Sequence, residues 1–279
     1  MRFREWMGGF GTLDENDPEE RLIAGADAVF LLYQSLPSEK RRPIAECVIE
    51  MTQGMKKTIN CETGREGKMH TLESMADLEQ YCYYVAGTVG IMLTKLFTNA
   101  ARSMRPENRA EAISLQLSFA NGLQITNIIK DAARDYARGW CYIPAALAKK
   151  NGATIEQFLD AGCVAQSLST LNDLIKKAVT HLDDALRYTL LVPRREIRIR
   201  LFNLWSLFLA IKTLRKCWNN PDLLDPGKNV KITRVEVFKT LLETLTRVCS
   251  NALLRSAYQK YRRGIPAREA HAIIDSSTL

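Results

Sequence analysis

Apolar side chains return every three to four positions through most of this 279-residue chain, and runs of β-branched residues bounded by turns are few. That period puts the apolar residues on one side of a helix, so the chain is predicted to be all-α. Helices are expected over Pro18 to Leu36, where Leu36-Pro37-Ser38 stops the first, and over Glu39 to Ile59, with Ile44, Val48, Met51 and Met55 along one face. Cys61 to Met69 reads as a polar, glycine-containing loop. Further helices are predicted at Ser74 to Phe97, Arg109 to Tyr136, Thr154 to Leu191, Arg195 to Cys217 and Thr233 to Tyr261. Pro106, Pro144, Pro193, Pro221 and Pro226 fall between them, where the missing N–H donor does least harm. With no internal repeat, low-complexity linker or shift in composition, residues 1–279 are expected to form a single helical domain.

Composition narrows the class. The chain is 46% hydrophobic and 25% charged, as in a globular protein in water. No run approaches the roughly eighteen apolar residues of a spanning helix. Met1 to Gly9 lacks the apolar core of a signal peptide, and the RRGIPAREAHAIIDSSTL that follows Tyr261 is polar. The expected location is the cytoplasm, without a transmembrane tail. Seven cysteines show no close pairing and leave one over under any disulfide scheme, which favours reduced thiols. There is no C-x-x-C, and His70, His181 and His271 are scattered, so any metal should be oxygen-ligated. A net charge of +8 suits nucleic acid, an acidic membrane surface or a polyanionic small substrate. Arg194, Arg195, Arg198 and Arg200 form the densest basic cluster, but no aromatics interleave with them as on a nucleic-acid stacking surface, so no nucleic-acid partner is expected. The cluster reads as a solvated helix end in preference to a phosphate patch. Peripheral contact with the inner, anionic face of a membrane fits the charge.

The segment NGLQITNIIKDAARDY, Asn121 to Tyr136, carries the clearest chemistry. Gln124, Asn127, Asp131 and Asp135, spaced three, four and four, share one helix face. Carboxylate and amide oxygens are the hard ligands Mg2+ prefers, and it is commonly held by one or two carboxylates plus substrate phosphate. Lys130 and Arg134 flank the acids; they either neutralise phosphate oxygens or relieve carboxylate repulsion on a solvated face. Acidic pairs at this spacing are common on exposed helices, but Gln124 and Asn127 continue the stripe among Leu123, Ile125, Ile128 and Ile129, where polar groups are costly unless used. In DLEQYCYYVAGTVGIMLTKLF, Asp77 to Phe97, Gly87 and Gly90 sit inside a helix and lower its propensity. Either two helices pack tightly there or the space admits a lipid chain. Tyr81, Tyr83 and Tyr84 lie just before them, as core or rim residues or as a proton-handling group.

Both segments resemble the squalene/phytoene synthase family. YCYYVAGTVG at 81–90 and LQITNIIKDAARD at 123–135 are similar to its two best-marked blocks and occur in the family's order. The likeness continues in RGWCYIP at 138–144, in LFNLWSLFLAIKTLRKCWNN at 201–220 and in VKI at 230–232. The last of these look more like squalene than phytoene synthases. The resemblance implies a helical bundle around a central prenyl-diphosphate pocket. It implies that Asp131 and Asp135 are the second aspartate motif, binding Mg2+ with Asn127, that Gln124 faces the reacting chains, and that Val85 lines the pocket. Tyr81 matches the tyrosine given a proton-transfer or cation-stabilising role. Gly87, Leu123, Lys130, Arg134, Arg138 and Phe202 complete the implied substrate contacts.

The implied reaction joins two farnesyl diphosphates head to head through a cyclopropylcarbinyl diphosphate to squalene, with hydride from NADPH. Dehydrosqualene or phytoene are the alternative products, and a non-catalytic, partner-binding family member is an alternative of another class. No Gly-rich dinucleotide fingerprint is present, but the family does not use that fold. One departure from the family stands out. Its first D-x-x-x-D motif, on an early helix, has no match here: MRFREWMG resembles the segment after that motif, and Asp14 and Asp17 read as a solvated helix start. One of two carboxylate clamps is therefore expected to be missing, with loss of electrophilic assistance.

Overall fold

The computed structural model describes residues 16–60 and 69–266, and they are almost wholly helical. Contacts divide the chain into two compact units, residues 1–46 and 47–279. The first holds α1 (Pro18–Ala24), α2 (Ala26–Ser35) and the start of α3 (Ser38–Asn60). Asp17 begins α1 by accepting the Glu20 N–H at 3.1 Å, an exposed helix start as expected; Asp14 lies outside the described residues. The predicted first helix divides at Gly25, and the Tyr33 hydroxyl donates to the Arg41 carbonyl across the Leu36-Pro37 turn. The predicted loop from Cys61 lies outside the described residues as far as Lys68.

The second unit carries the hydrophobic core. Ser74 starts α4 (Met75–Cys82) with a capping box, its hydroxyl and amide engaging Asp77. Tyr83–Gly87 widens into a π-helical turn before α5 (Thr88–Ala100). The long α6 (Pro106–Ala137), opened by Pro106 at its first position, runs through the centre. Gly139, at φ 85°, ends it in the left-handed conformation open to glycine and turns the chain into β2 (Trp140–Pro144). There it pairs in parallel with β1 (His70–Leu72), His70 opposite Trp140. This pairing was not predicted, because three residues of strand leave no periodic signal.

After α7 (Ala145–Lys150) come α8 (Val164–Leu191) and α9 (Ile197–Cys217), then α10 (Arg234–Arg247) and α11 (Asn251–Arg262). α6 packs chiefly on α8, and also on α5 and α9. Leu171, Leu174, Ile175, Ala178, Leu182 and Ala185 form the buried stripe of α8, each at 0% exposure, so each leucine contributes about 2 kcal/mol of transfer free energy. α8 begins ten residues later than predicted, after a turn and the short 3-10 segment Ala161–Cys163. The predicted last helix breaks at Val248 to Ser250, where Ser250 caps α11.

The basic cluster requires a correction. Arg194, Arg195 and Arg198 are exposed, but Arg200 is fully buried. Its guanidinium donates to the carbonyls of Val192 at 2.7 Å and Val248 at 2.9 Å and to Asn251 Oδ1 at 2.7 Å. It thereby meets the negative ends of α8 and α10, whose last carbonyls lack partners within their helices. The described cysteines are free thiols. Among the described residues no helix is long and apolar enough to cross a membrane.

Candidate active site

The helix period of α6 brings Asp131 and Asp135 onto one face a turn apart, both half-buried. Lys130 Nζ lies 2.9 Å from Asp131 Oδ2, and the Arg134 guanidinium contacts Asp131 Oδ1. These two cations therefore relieve carboxylate repulsion on this face. Burial pushes the Asp135 carboxyl up, the negative charge of Asp131 adds to this, and Arg138, Arg134 and Lys130 oppose it. Two oxygen-donor side chains that repel one another, rimmed by cations, are a donor set whose chemistry fits Mg2+. Asn127 follows on the same face but is exposed. Its amide is solvated, so the expectation that it would be costly among isoleucines fails: Ile125, Ile128 and Ile129 point the other way, into the core.

From Gln124 towards the start of α6 the face turns apolar. A cavity of about 190 Å³, more than ten times what admits one water, lies between α5, α6 and α9. Val85, Leu123, Gln124 and Phe202, expected from the sequence, line it. So do Gln116, Phe119, Thr94, Tyr188 and Asn203, which the sequence reading did not single out. Gly90 meets both readings of the glycine pair: it lines the cavity, and a Cβ there would come within 2.9 Å of the Gln116 carbonyl. Gly87 is placed differently. It does not line the cavity but packs on α6, where a Cβ would sit 3.2 Å from Leu117 Cδ2. Lys130, Arg134 and the exposed Arg138 stand at the aspartate end and not in the apolar part.

Tyr81 occupies the ground beside the aspartates. Its ring stacks on Tyr142 at 4.6 Å, Tyr142 on Trp140 at 6.0 Å and Trp140 on His70 at 4.0 Å. Burial first, then a hydrogen bond to Tyr142, drives the Tyr81 phenol far above its usual range, with Asp135 contributing. Tyr81 is therefore a neutral phenol, able to donate a hydrogen bond or present its ring to a cation, and not a ready base. Tyr83 donates to the Glu50 carboxylate, which with burial raises its hydroxyl to about 12. The sequence pattern does not mark the π turn over Tyr83–Gly87, since one widened turn leaves the helical period around it intact. Tyr142 and Trp140 sit in a block the sequence reading had noted, but their stacking depends on the unpredicted strand pair.

The family model for squalene/phytoene synthase matches residues 1–236. The squalene synthase of Schizosaccharomyces pombe is 29% identical over 245 residues, covering 85% of this chain and 51% of that protein. That of Cyberlindnera jadinii is 30% identical over 242 residues, covering 84% and 52%. The chain thus spans about half the length of these curated relatives. Among solved structures, TcSQS with the ligand BPH1237 superposes at a TM-score of 0.70, with 22% identity, over 88% of this chain and 74% of that one. A dehydrosqualene synthase in complex with ligand reaches 0.54 at 22% identity, over 86% and 74%. Those identities speak for the shared all-α fold alone. With a family match over most of its length and an aspartate-ended cleft on that fold, this chain belongs to the squalene/phytoene synthase family.

Proposed function

We propose that this chain binds allylic prenyl diphosphates in the cleft between α5, α6 and α9 and condenses two farnesyl diphosphates head to head, through a cyclopropylcarbinyl diphosphate, to squalene. The observation that carries this reading is the continuity of one face of α6, from Asp131 and Asp135 to the apolar cavity that begins at Gln124. A diphosphate has oxygen-ligand and cationic partners at one end of that face, and its hydrocarbon chain has an apolar surface at the other. Bound Mg2+ would supply electrophilic assistance to departure of the diphosphate. Lys130, Arg134 and Arg138 then orient the phosphate oxygens, with Arg134 suited to a forked contact. Val85, Leu123 and Phe202 keep water from the chain, and Gln124 stands at the junction, where the reacting carbons would lie. Tyr81, a neutral phenol stacked on Tyr142, would steady developing positive charge with its ring.

A second reading, a non-catalytic family member that binds partners, is favoured by one feature: Asp131 is already engaged by its own Lys130 and Arg134. The two separate on incubation of the chain with farnesyl diphosphate, Mg2+ and NADPH, followed by mass analysis of extracted hydrocarbon. Squalene is expected, together with a fall of about a hundredfold or more in Asp131→Asn, as losing several kcal/mol of charge stabilisation implies. Dehydrosqualene formed even with NADPH present would move the product within the family. No hydrocarbon from either protein would favour the partner-binding reading.

A further inference from the structure

Three interhelical turns meet at the end of the bundle away from the aspartates. Arg195, on the turn from α8 to α9, donates to Ser103 Oγ on the turn from α5 to α6 at 2.7 Å. Arg200 donates to Val248 and Asn251 where α10 turns into α11. Six exposed arginines stand on this end: Arg102 and Arg105 at the first turn, Arg194, Arg195 and Arg198 at the second, and Arg255 just beyond the third. The sequence pattern singles out only the middle group, as a solvated helix end. The fold brings it neighbours from segments 92 and 48 residues away.

Little on this end answers the charge. Glu107 and Glu196 are the acids on these segments, and Glu196 lies 3.9 Å from Arg195. Arg102, Arg105, Arg194, Arg198 and Arg255 make no ion pair among the described residues. Helix electrostatics oppose the cluster as well. Arg105 is the N-cap of α6, and Arg194, Arg195 and Arg198 surround the start of α9; neither helix start has a side-chain cap. The positive end of a long helix repels an added cation and attracts an anion. Burial, and then the charge of Arg194, push the buried Arg200 guanidinium below its usual range, as unrelieved like charge would. Stability of the fold therefore does not explain these arginines. Nor does the aspartate site, since Arg105 precedes Asp131 by 26 residues, about 39 Å along α6.

We propose that this end of the bundle is the face by which the chain docks on an anionic bilayer, its arginines meeting lipid phosphates. Spread over three turns and exposed, they suit a surface of many phosphates better than one small anion. Ile197 and Leu253, 42% and 49% exposed among them, supply the apolar contacts of an interfacial surface. No aromatic side chain stands on residues 101–109, 192–199 or 247–255 to stack on a base, which argues against nucleic acid. Docking in this way points the aspartate end of α6 away from the bilayer. The surface is separate from the prenyl-diphosphate reading of the cleft, and neither depends on the other.

The test is sedimentation of the full chain with phosphatidylcholine vesicles, with and without phosphatidylserine, beside two triple variants of equal charge. One carries Arg105→Gln, Arg194→Gln and Arg198→Gln; the other carries Lys56→Gln, Lys149→Gln and Lys239→Gln, exposed cations placed elsewhere. The unchanged chain should bind only the vesicles that contain phosphatidylserine. The arginine variant should bind them about a hundredfold more weakly and the lysine variant within about threefold of the parent. The melting midpoint of the arginine variant should be unchanged or higher, because cations leave the positive ends of α6 and α9. Equal weakening of the two variants would make binding a matter of net charge alone and overturn the proposal. So would full binding by the arginine variant, no binding by the unchanged chain, or tighter binding of RNA than of the anionic vesicles. Should the arginine variant not fold, Arg198→Gln alone must weaken binding about fivefold, and unchanged binding there overturns the proposal.

Discussion

Asp135 shows how one residue can be arranged against stability. Burial and the neighbouring Asp131 raise its carboxyl above the ordinary aspartate value, so the fold favours its protonated form. The sign follows from linkage. A carboxyl that binds its proton more tightly when folded contributes stability below its unfolded value, and that contribution is lost as pH rises through the folded value. At neutral pH the ionised side chain is therefore a liability in the metal-free protein, and Asp135→Asn is expected to raise the melting midpoint. The gap between variant and parent should widen as pH rises from the ordinary aspartate value of about 4 through the raised folded value, and Mg2+ should stabilise the parent alone. Parallel melting curves across that range would show that the raised carboxyl has no energetic weight. Asp131 differs because Lys130 and Arg134 already meet it, so its replacement tests ligand binding more than stability.

Between elements, contact distance decides more than propensity. Gly90→Ala would improve helix propensity by about 1 kcal/mol. The added carbon would, however, stand 2.9 Å from the Gln116 carbonyl and 3.0 Å from Ala120 Cβ, so α5 must move off α6. The expected net effect is a loss of about 1–2 kcal/mol with weaker binding of prenyl analogues, measured by denaturant melts and titration. A neutral or stabilising outcome would mean that the two helices can part freely. Arg200 joins the ends of α8, α9 and α10 in a similar way. Arg200→Leu leaves the Val192 and Val248 carbonyls and Asn251 Oδ1 unpaired in the core, and about 3 kcal/mol or more should be lost. Arg200→Lys should recover part of that loss, since one ammonium can reach some of the three acceptors. Equal stability of the leucine and lysine variants would argue against carbonyl capture as the role of this arginine.

At the scale of the whole molecule, an excess of eight positive charges predicts association with anionic bilayers. The chain should sediment with phosphatidylserine vesicles at low salt and be released towards about 1 M, where the Debye length is about 3 Å. Salt-insensitive sedimentation would point instead to apolar insertion. The all-α class, most helix limits and the face bearing Gln124, Asp131 and Asp135 were legible in the sequence, because a period of 3.6 residues is a local property. Val85, Leu123 and Phe202 were reached through the family resemblance and do line the cavity. What the sequence alone determined is which side chains share a helix face and which of them carry the oxygen donors or cations that a metal or a phosphate would need. Depth was another matter: Arg200 read as solvated is at the core, Asn127 read as costly is in water, and Gly87 faces a helix and not the cleft. Only the tertiary structure decided these, along with the stack from Tyr81 to His70 and the arginine-rimmed end of the bundle. Each depends on groups far apart in sequence meeting in space, which no local period encodes.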